Sequence, residues 1–214
     1  MKKQSNIFLD NEANNWFQRN NESVKLKNYA TDDFIIAELS EMEDVFKNKR
    51  VLEIGASDGS RLQYLKDEFC CDVYGIDPSS DAVASGLKNG LNLKVGLASE
   101  LEFEPGFFDV VIFGFCLYLC DRDDLFKIAS EVDRVTKNNS WVVILDFFTK
   151  GESVNNYSHC SGVLSYKFDN RKMFEWHPAY TCVVHKVKDH TNYSIYTDNK
   201  DDWMAVSIIR KKYG

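Results

Sequence analysis

Proline is scarce in this chain, at three in 214 residues, and no Pro-, Gly- or Ser-rich stretch divides it. Nothing therefore reads as an interdomain linker, and the length fits one large domain. Long apolar runs are missing as well: none approaches the roughly 20 residues of a membrane span. The start, MKKQSNIFLDNEANNW, lacks an apolar core followed by a small-residue cleavage site, so it does not read as a signal peptide. The expected location is cytoplasmic. Positive charge is in short supply, with 26 Lys and Arg against 33 Asp and Glu, a net charge of −7. That balance argues against an electrostatic grip on nucleic acid or an anionic membrane and leaves a small-molecule partner. Six cysteines are present, but none is spaced C-x-x-C. Cys116 and Cys120 have C-x-x-x-C spacing without a second ligand pair, so no metal centre is expected and the thiols read as reduced. There are no internal repeats.

What is present is alternation. TDDFIIAELSEMEDVFKN (31–48) reads as a helix capped at Thr31, with Phe34, Ile35, Met42, Val45 and Phe46 on its apolar face. Short apolar strands follow at VLEIG, CDVYGID, LNLKVG, FDVVIFGF and SWVVILDFF. Between them lie helical segments: SRLQYLKDEF, PSSDAVASGLKNG, and DRDDLFKIASEVDRVTKN with Leu125, Ile128, Ala129, Val132 and Val135 on one side. Strand–helix alternation of this kind calls for an α/β fold, a parallel sheet with helices on both faces. Residues 148–180 are aromatic and irregular. YTCVVHKV and DWMAVSIIRK then read as two strands able to pair antiparallel at the sheet edge.

In such sheets, ligands bind at the carboxyl ends of the strands. The turn after Ile54 sits at one of them. Gly55 and Gly59 lack Cβ atoms and let the backbone approach a ligand. A dinucleotide loop would read G-x-G-x-x-G, but Ser57 and Ser60 replace two of its three glycines. A phosphate loop would need G-K-S/T, which is absent. What stands here is acid-x-G-x-x-x-G, formed by Glu53, Gly55 and Gly59. A second acid, Asp77, closes the next strand, where a carboxylate suits the paired hydroxyls of a ribose.

VLEIGASDGS, VYGIDPSS and GLASELEFEPGFFDVVIFGFCLYLCDRDDL, in this order and spacing, resemble the motifs of the class I S-adenosylmethionine-dependent methyltransferases. The resemblance covers roughly residues 45–150, with DWMAVSIIRK as a final strand. WFQRN and SYKFDNRKMFEWHPAY resemble a subgroup tied to surface-polysaccharide or small-metabolite modification. The resemblance implies a Rossmann-like methyltransferase fold: a mostly parallel seven-stranded sheet with an antiparallel edge strand. It implies one domain over 1–214, with a helical arm or cap over 1–48, a cofactor-binding core over 49–147, and an acceptor-side insert with final strands over 148–214. S-adenosyl-L-methionine is the implied cofactor. Gly55, Ala56 and Gly59 would line its methionine part, with Ser57 at the usual middle glycine. Glu53 would lie beneath its amino group, and Asp77 would hold the ribose. Pro78 and Ser79 would flank the adenine, Ala98 and Ser99 would meet its edge, and Phe115 would lie beside the methionine. Leu97 stands where many relatives have an acid.

The implied reaction moves a methyl group to a small polar acceptor, an oxygen of a sugar, sugar-nucleotide or phosphorylated metabolite. A hydroxyl acceptor needs a base, whereas a carboxylate or phosphate oxygen needs none. Tyr118, His159 and His177 are candidates to touch the acceptor, and His185 and His190 are weaker ones. Trp16 and Arg19, in NNWFQRN, read either as packing or as an arm closing over the cofactor. Tyr166 could stack on a sugar ring. The alternatives are a nicotinamide-dependent oxidoreductase and a non-catalytic module of the same fold.

Overall fold

The computed structural model describes residues 3–191 and 197–213. Seven strands form one sheet: β1 (Arg50–Ile54), β2 (Asp72–Asp77), β3 (Asn92–Val95), β4 (Phe108–Gly114), β5 (Thr136–Phe147), β8 (Tyr180–Asp189) and β9 (Trp203–Lys211). Their order is β3-β2-β1-β4-β5-β9-β8. The first five pair in parallel, and β9 is antiparallel to both β5 and β8. The reversed strand thus sits one place in from the edge, and β8 runs in the same direction as β5. A separate hairpin, β6 (Ser153–Asn156) with β7 (Leu164–Lys167), lies within the aromatic segment that reads as irregular in the sequence.

Each sheet face is apolar because alternate residues of the inner strands point to opposite sides. On β4, Val110 and Ile112 join one core with Ile36, Leu39, Leu62 and Leu65. Val111 and Phe113 join the other, with Ile128, Val132 and Val135. The first core is closed by α6 (Ser60–Phe69), and the second by α8 (Leu125–Val135). Ser79 caps α7 (Ser80–Lys88), its side chain accepting from the Ala82 N–H, and Gly90 follows the helix at φ +77°.

The region before β1 departs from the single helix expected over 31–48. It is divided into α3 (Tyr29–Asp32), α4 (Phe34–Ser40) and α5 (Glu43–Phe46). Asp33 causes the first break. Its backbone is extended, and its carboxylate caps α4 through the Ile36 N–H, so Asp33 rather than Thr31 starts the apolar helix. Before it come α1 (Gln4–Ile7), a π-helical turn over Phe8–Glu12, and α2 (Ala13–Leu26). Asp121 holds this arm down by accepting from the backbone N–H groups of Gln4 and Ser5 at 3.0 and 2.9 Å. Gln4 adds three bonds, to the Leu119 and Leu164 carbonyls and from the Leu164 N–H. All six cysteines are free thiols; Cys71 is buried and Cys70 exposed. Among the described residues, no helix is long and apolar enough to cross a membrane.

Candidate active site

At the end of β1, Gly55 turns the chain at φ +74°, a conformation that favours glycine. A Cβ there would lie 2.7 Å from Cys116 Cβ, so glycine also allows the loop to meet the exit of β4. The Gly55 and Ala56 N–H groups donate to the Ile76 carbonyl at 2.9 and 3.0 Å. These amides pin the loop to β2 and are not free for a ligand. Ser57 adopts φ +50°, and its Oγ is buried without a partner. Gly59 has a different role from the one its motif position implies. It does not line the cavity; a Cβ on it would lie 2.6 Å from Leu91 Cδ1, and its φ is +77°. It is there to let the start of α6 pack.

Asp77 is held by two backbone amides, Ser57 N to Oδ2 and Ser79 N to Oδ1, each at 2.8 Å. Both carboxylate oxygens therefore keep further acceptor capacity. Burial pushes the carboxyl up to about 6, with the two amides pulling against it.

Glu53 is buried on β1 and ion-pairs with Arg61 of α6 through Oε1. Its Oε2 is buried and has no partner. Burial pushes the Glu53 carboxyl up, and Arg61 opposes that shift. Arg61 also donates to Asp33 at 2.9 Å, and Lys27 meets the same Asp33 oxygen at 2.6 Å. The two cations hold the Asp33 carboxyl far below the usual range despite its burial. Gly114 leaves room for this cluster, since a Cβ there would lie 2.5 Å from Arg61 Nη1.

These groups border a cavity of about 460 Å³ at the carboxyl ends of β1, β2 and β4. Glu53, Gly55, Ala56, Ser57, Asp77, Pro78, Ala98, Ser99 and Phe115 all line it, as does Leu97. Phe115 holds φ +55°, uncommon for a non-glycine residue, and its ring packs edge-on against Phe147 at 5.3 Å. Trp16 and Tyr118 also line the cavity. Ser79, although it caps α7 beside the site, is not among the lining residues.

The other acceptor-side candidates lie elsewhere. Arg19 pairs with Glu12 at 2.6 Å and reaches the Tyr157 hydroxyl at 3.3 Å. His159 is exposed against Tyr157. The Tyr166 ring is covered by the Arg122 guanidinium, 4.3 Å from its centroid. His177 packs on Tyr180 and Tyr213 at the start of β8, at the opposite end of the sheet. None of the four borders the cavity.

Several lining residues carry no motif in the sequence: Arg61, Tyr29, Phe147 and His190. Arg61 reads as a solvated cation on an amphipathic helix, because its partner Asp33 lies 28 residues earlier. His190 follows β8, and the direction of that strand brings it to the cavity edge. Asp146, buried on β5, accepts from the Leu117, Tyr118 and Phe147 amides, and burial pushes it up to about 7. It positions the turn that carries Tyr118.

Residues 52–144 match the family described as Methyltransferase domain. A SAM-dependent methyltransferase from Methanosarcina mazei is similar in structure at 19% identity, with a TM-score of 0.62; the likeness covers 78% of this chain and 94% of that one. A 1,6-didemethyltoxoflavin-N1-methyltransferase from Burkholderia thailandensis, solved with its substrate and S-adenosylhomocysteine, is similar at 16% identity and a TM-score of 0.65, covering 87% and 82%. An uncharacterised protein of Haemophilus influenzae is 27% identical over 113 residues, 49% of this chain and 45% of that protein. The chain thus spans less than half the length of that curated relative. The fold is the Rossmann-like methyltransferase fold, the match over residues 52–144 falls within its core, and the similar protein from Methanosarcina mazei is S-adenosyl-L-methionine-dependent.

The residues present fit that cofactor. The partnerless Oε2 of Glu53 and Oγ of Ser57 can receive an ammonium, and Asp77 can accept from two hydroxyls. The apolar side chains of Leu97 and Ala98 are suited to a flat ring.

Proposed function

We propose that the protein transfers the methyl group of S-adenosyl-L-methionine to an oxygen of a small, polar, uncharged acceptor such as a sugar. The cofactor supplies an activated methyl on a sulfonium, and the protein supplies position and electrostatics. Glu53, Ser57 and Asp77 would hold the cofactor's polar groups. Pro78, Leu97, Ala98 and Ser99 would border its base, and Phe115 its reactive end. The observation that carries this reading is Asp77, held by the amides of Ser57 and Ser79 in the lining of the cavity.

Charge narrows the acceptor. The lining contains six carboxylates (Asp32, Glu53, Asp58, Asp77, Asp121 and Asp124) against two cations, Lys27 and Arg61. Both cations are committed to Asp33. A phosphorylated metabolite or sugar-nucleotide would meet no uncommitted cation among these residues, so an uncharged sugar is the better fit. This is compatible with a cytoplasmic role in polysaccharide modification. The test is transfer of labelled methyl from S-adenosyl-L-methionine to a panel of neutral sugars and their phosphates. Labelling of the neutral compounds supports the reading, and labelling of the phosphates alone contradicts it. A nicotinamide-dependent oxidoreductase would instead bind NAD, and a non-catalytic module would bind the methyl donor without turnover.

A further inference from the structure

We propose that His190 is the general base of the transfer, and hence that the acceptor is a hydroxyl rather than a carboxylate or phosphate oxygen. The inference rests on the methyltransferase reading above. β8 runs in the direction of β5, so the residue after Asp189 arrives at the cavity edge, where His190 joins Tyr118 and Phe147 in the lining. Its backbone N–H donates to the Asp202 carbonyl at 2.8 Å, and its ring Nδ1 lies 2.9 Å from the same oxygen. A carbonyl oxygen only accepts, so Nδ1 must carry the hydrogen. The neutral imidazole then has its lone pair on Nε2, the tautomer a base requires.

The surroundings support this role. Phe147 meets the imidazole edge-on, with centroids 5.1 Å apart. Asp202 Oδ1 lies 4.0 Å from Nδ1, an anion beside the imidazolium that forms when a proton is taken up. A nearby cation is Lys167, 5.3 Å from the Phe147 centroid and paired with Asp201 at 3.9 Å. Other titratable groups at this end of the cavity are unsuited. Burial pushes the Tyr118 phenol and the Cys116 and Cys120 thiols well up, so these remain protonated. The Asp146 carboxylate is taken by three amides. An ionised carboxylate or phosphate acceptor has no proton to lose and would give this imidazole no task.

In the step, the acceptor oxygen bonds to the methyl carbon and its proton passes to Nε2 of His190. The C–S bonding pair remains with the sulfur, which becomes a neutral thioether. Atoms and charge balance without a further reactant.

Two measurements test the proposal. Long-range proton–nitrogen NMR of the histidine-labelled protein with S-adenosylhomocysteine should show His190 with a protonated Nδ1 and a bare Nε2; the opposite tautomer would overturn the assignment. Transfer of labelled methyl should then be followed with phenol and methyl glucopyranoside as hydroxyl probes, and benzoate and phenyl phosphate as probes without a proton to lose. The hydroxyl probes should be methylated. His190→Gln should lower kcat by about 100-fold or more with little change in KM. Preference for benzoate or phenyl phosphate, or a variant with wild-type kcat, would overturn it. Calorimetry with S-adenosylhomocysteine separates the two readings. Heat with the wild type and the variant alike leaves any failure with His190, and no heat with the wild type faults the cofactor assignment.

Discussion

Ser79 Oγ donates to Oδ1 of Asn14 at 2.8 Å, across 65 residues of sequence. The same Asn14 oxygen accepts from the Asp81 N–H at 3.2 Å, so a residue of the N-terminal arm supplements the cap of α7. Since Ser79 also binds Asp77, the arm is two hydrogen bonds from the carboxylate assigned to the ribose. Asn14→Ala should weaken S-adenosylhomocysteine binding by about fivefold, the equivalent of one hydrogen bond of about 1 kcal/mol. Removal of residues 1–22 should weaken it further. Calorimetry showing unchanged affinity in both would reduce the arm to packing.

Asp77 carries a pH dependence. Burial pushes it up to about 6, and the ionised form is the one that accepts from two hydroxyls. Below that pH a proton must leave before the cofactor binds, so affinity should fall by about tenfold per pH unit on acidification and level off above it. Asp77→Asn should bind more weakly by about 10- to 100-fold at pH 8 and lose this component of the pH dependence. Stability runs the other way. The folded carboxyl holds its proton to higher pH than the unfolded one, so its contribution is present below about 4 and lost as pH rises through about 6. Urea unfolding should therefore show wild type losing stability relative to Asp77→Asn over that interval. Parallel curves would refute the assignment.

The Arg61 cluster makes a stability prediction. Arg61→Met would leave Glu53 and Asp33 buried with only Lys27 nearby. Loss of one partner of a buried pair costs about 3–5 kcal/mol. Chemical denaturation should show that loss, and a change below about 1 kcal/mol would mean the cluster is wetter than the structure shows.

Gly59 and Gly114 separate packing from binding. Gly59→Ala meets Leu91 at 2.6 Å in a left-handed backbone, so it should lower Tm while folded protein keeps its cofactor affinity. Gly114→Ala pushes on Arg61 and Glu53 and should weaken the affinity as well. The reverse pattern in paired melting and binding experiments would contradict this division between the two glycines.

Much of the core is legible in the sequence because period and punctuation agree. SRLQYLKDEF coincides with α6, and the acids Glu53 and Asp77 fall near strand ends, where a parallel sheet places ligands. The arm is less legible. Its polar, Asn-rich stretch has no strong apolar period, and its contacts are to side chains more than 60 residues away. Gly59 reads as a ligand contact because a motif position does not reveal which glycines face a ligand and which face a leucine. His190 stands out little in the sequence. Its partner is the Asp202 backbone carbonyl, 12 residues later, which leaves no pattern in residue type. His177 stands out through its aromatic neighbours, but strand direction puts it at the wrong end.

The most direct test is isothermal titration of the intact protein with S-adenosylhomocysteine and, separately, with NAD, repeated on Asp77→Asn. One saturable site for the thioether nucleoside, none for NAD, and a marked loss in the variant are the predicted results. Absence of heat with S-adenosylhomocysteine, or binding that ignores Asp77, would contradict the assignment of this cavity.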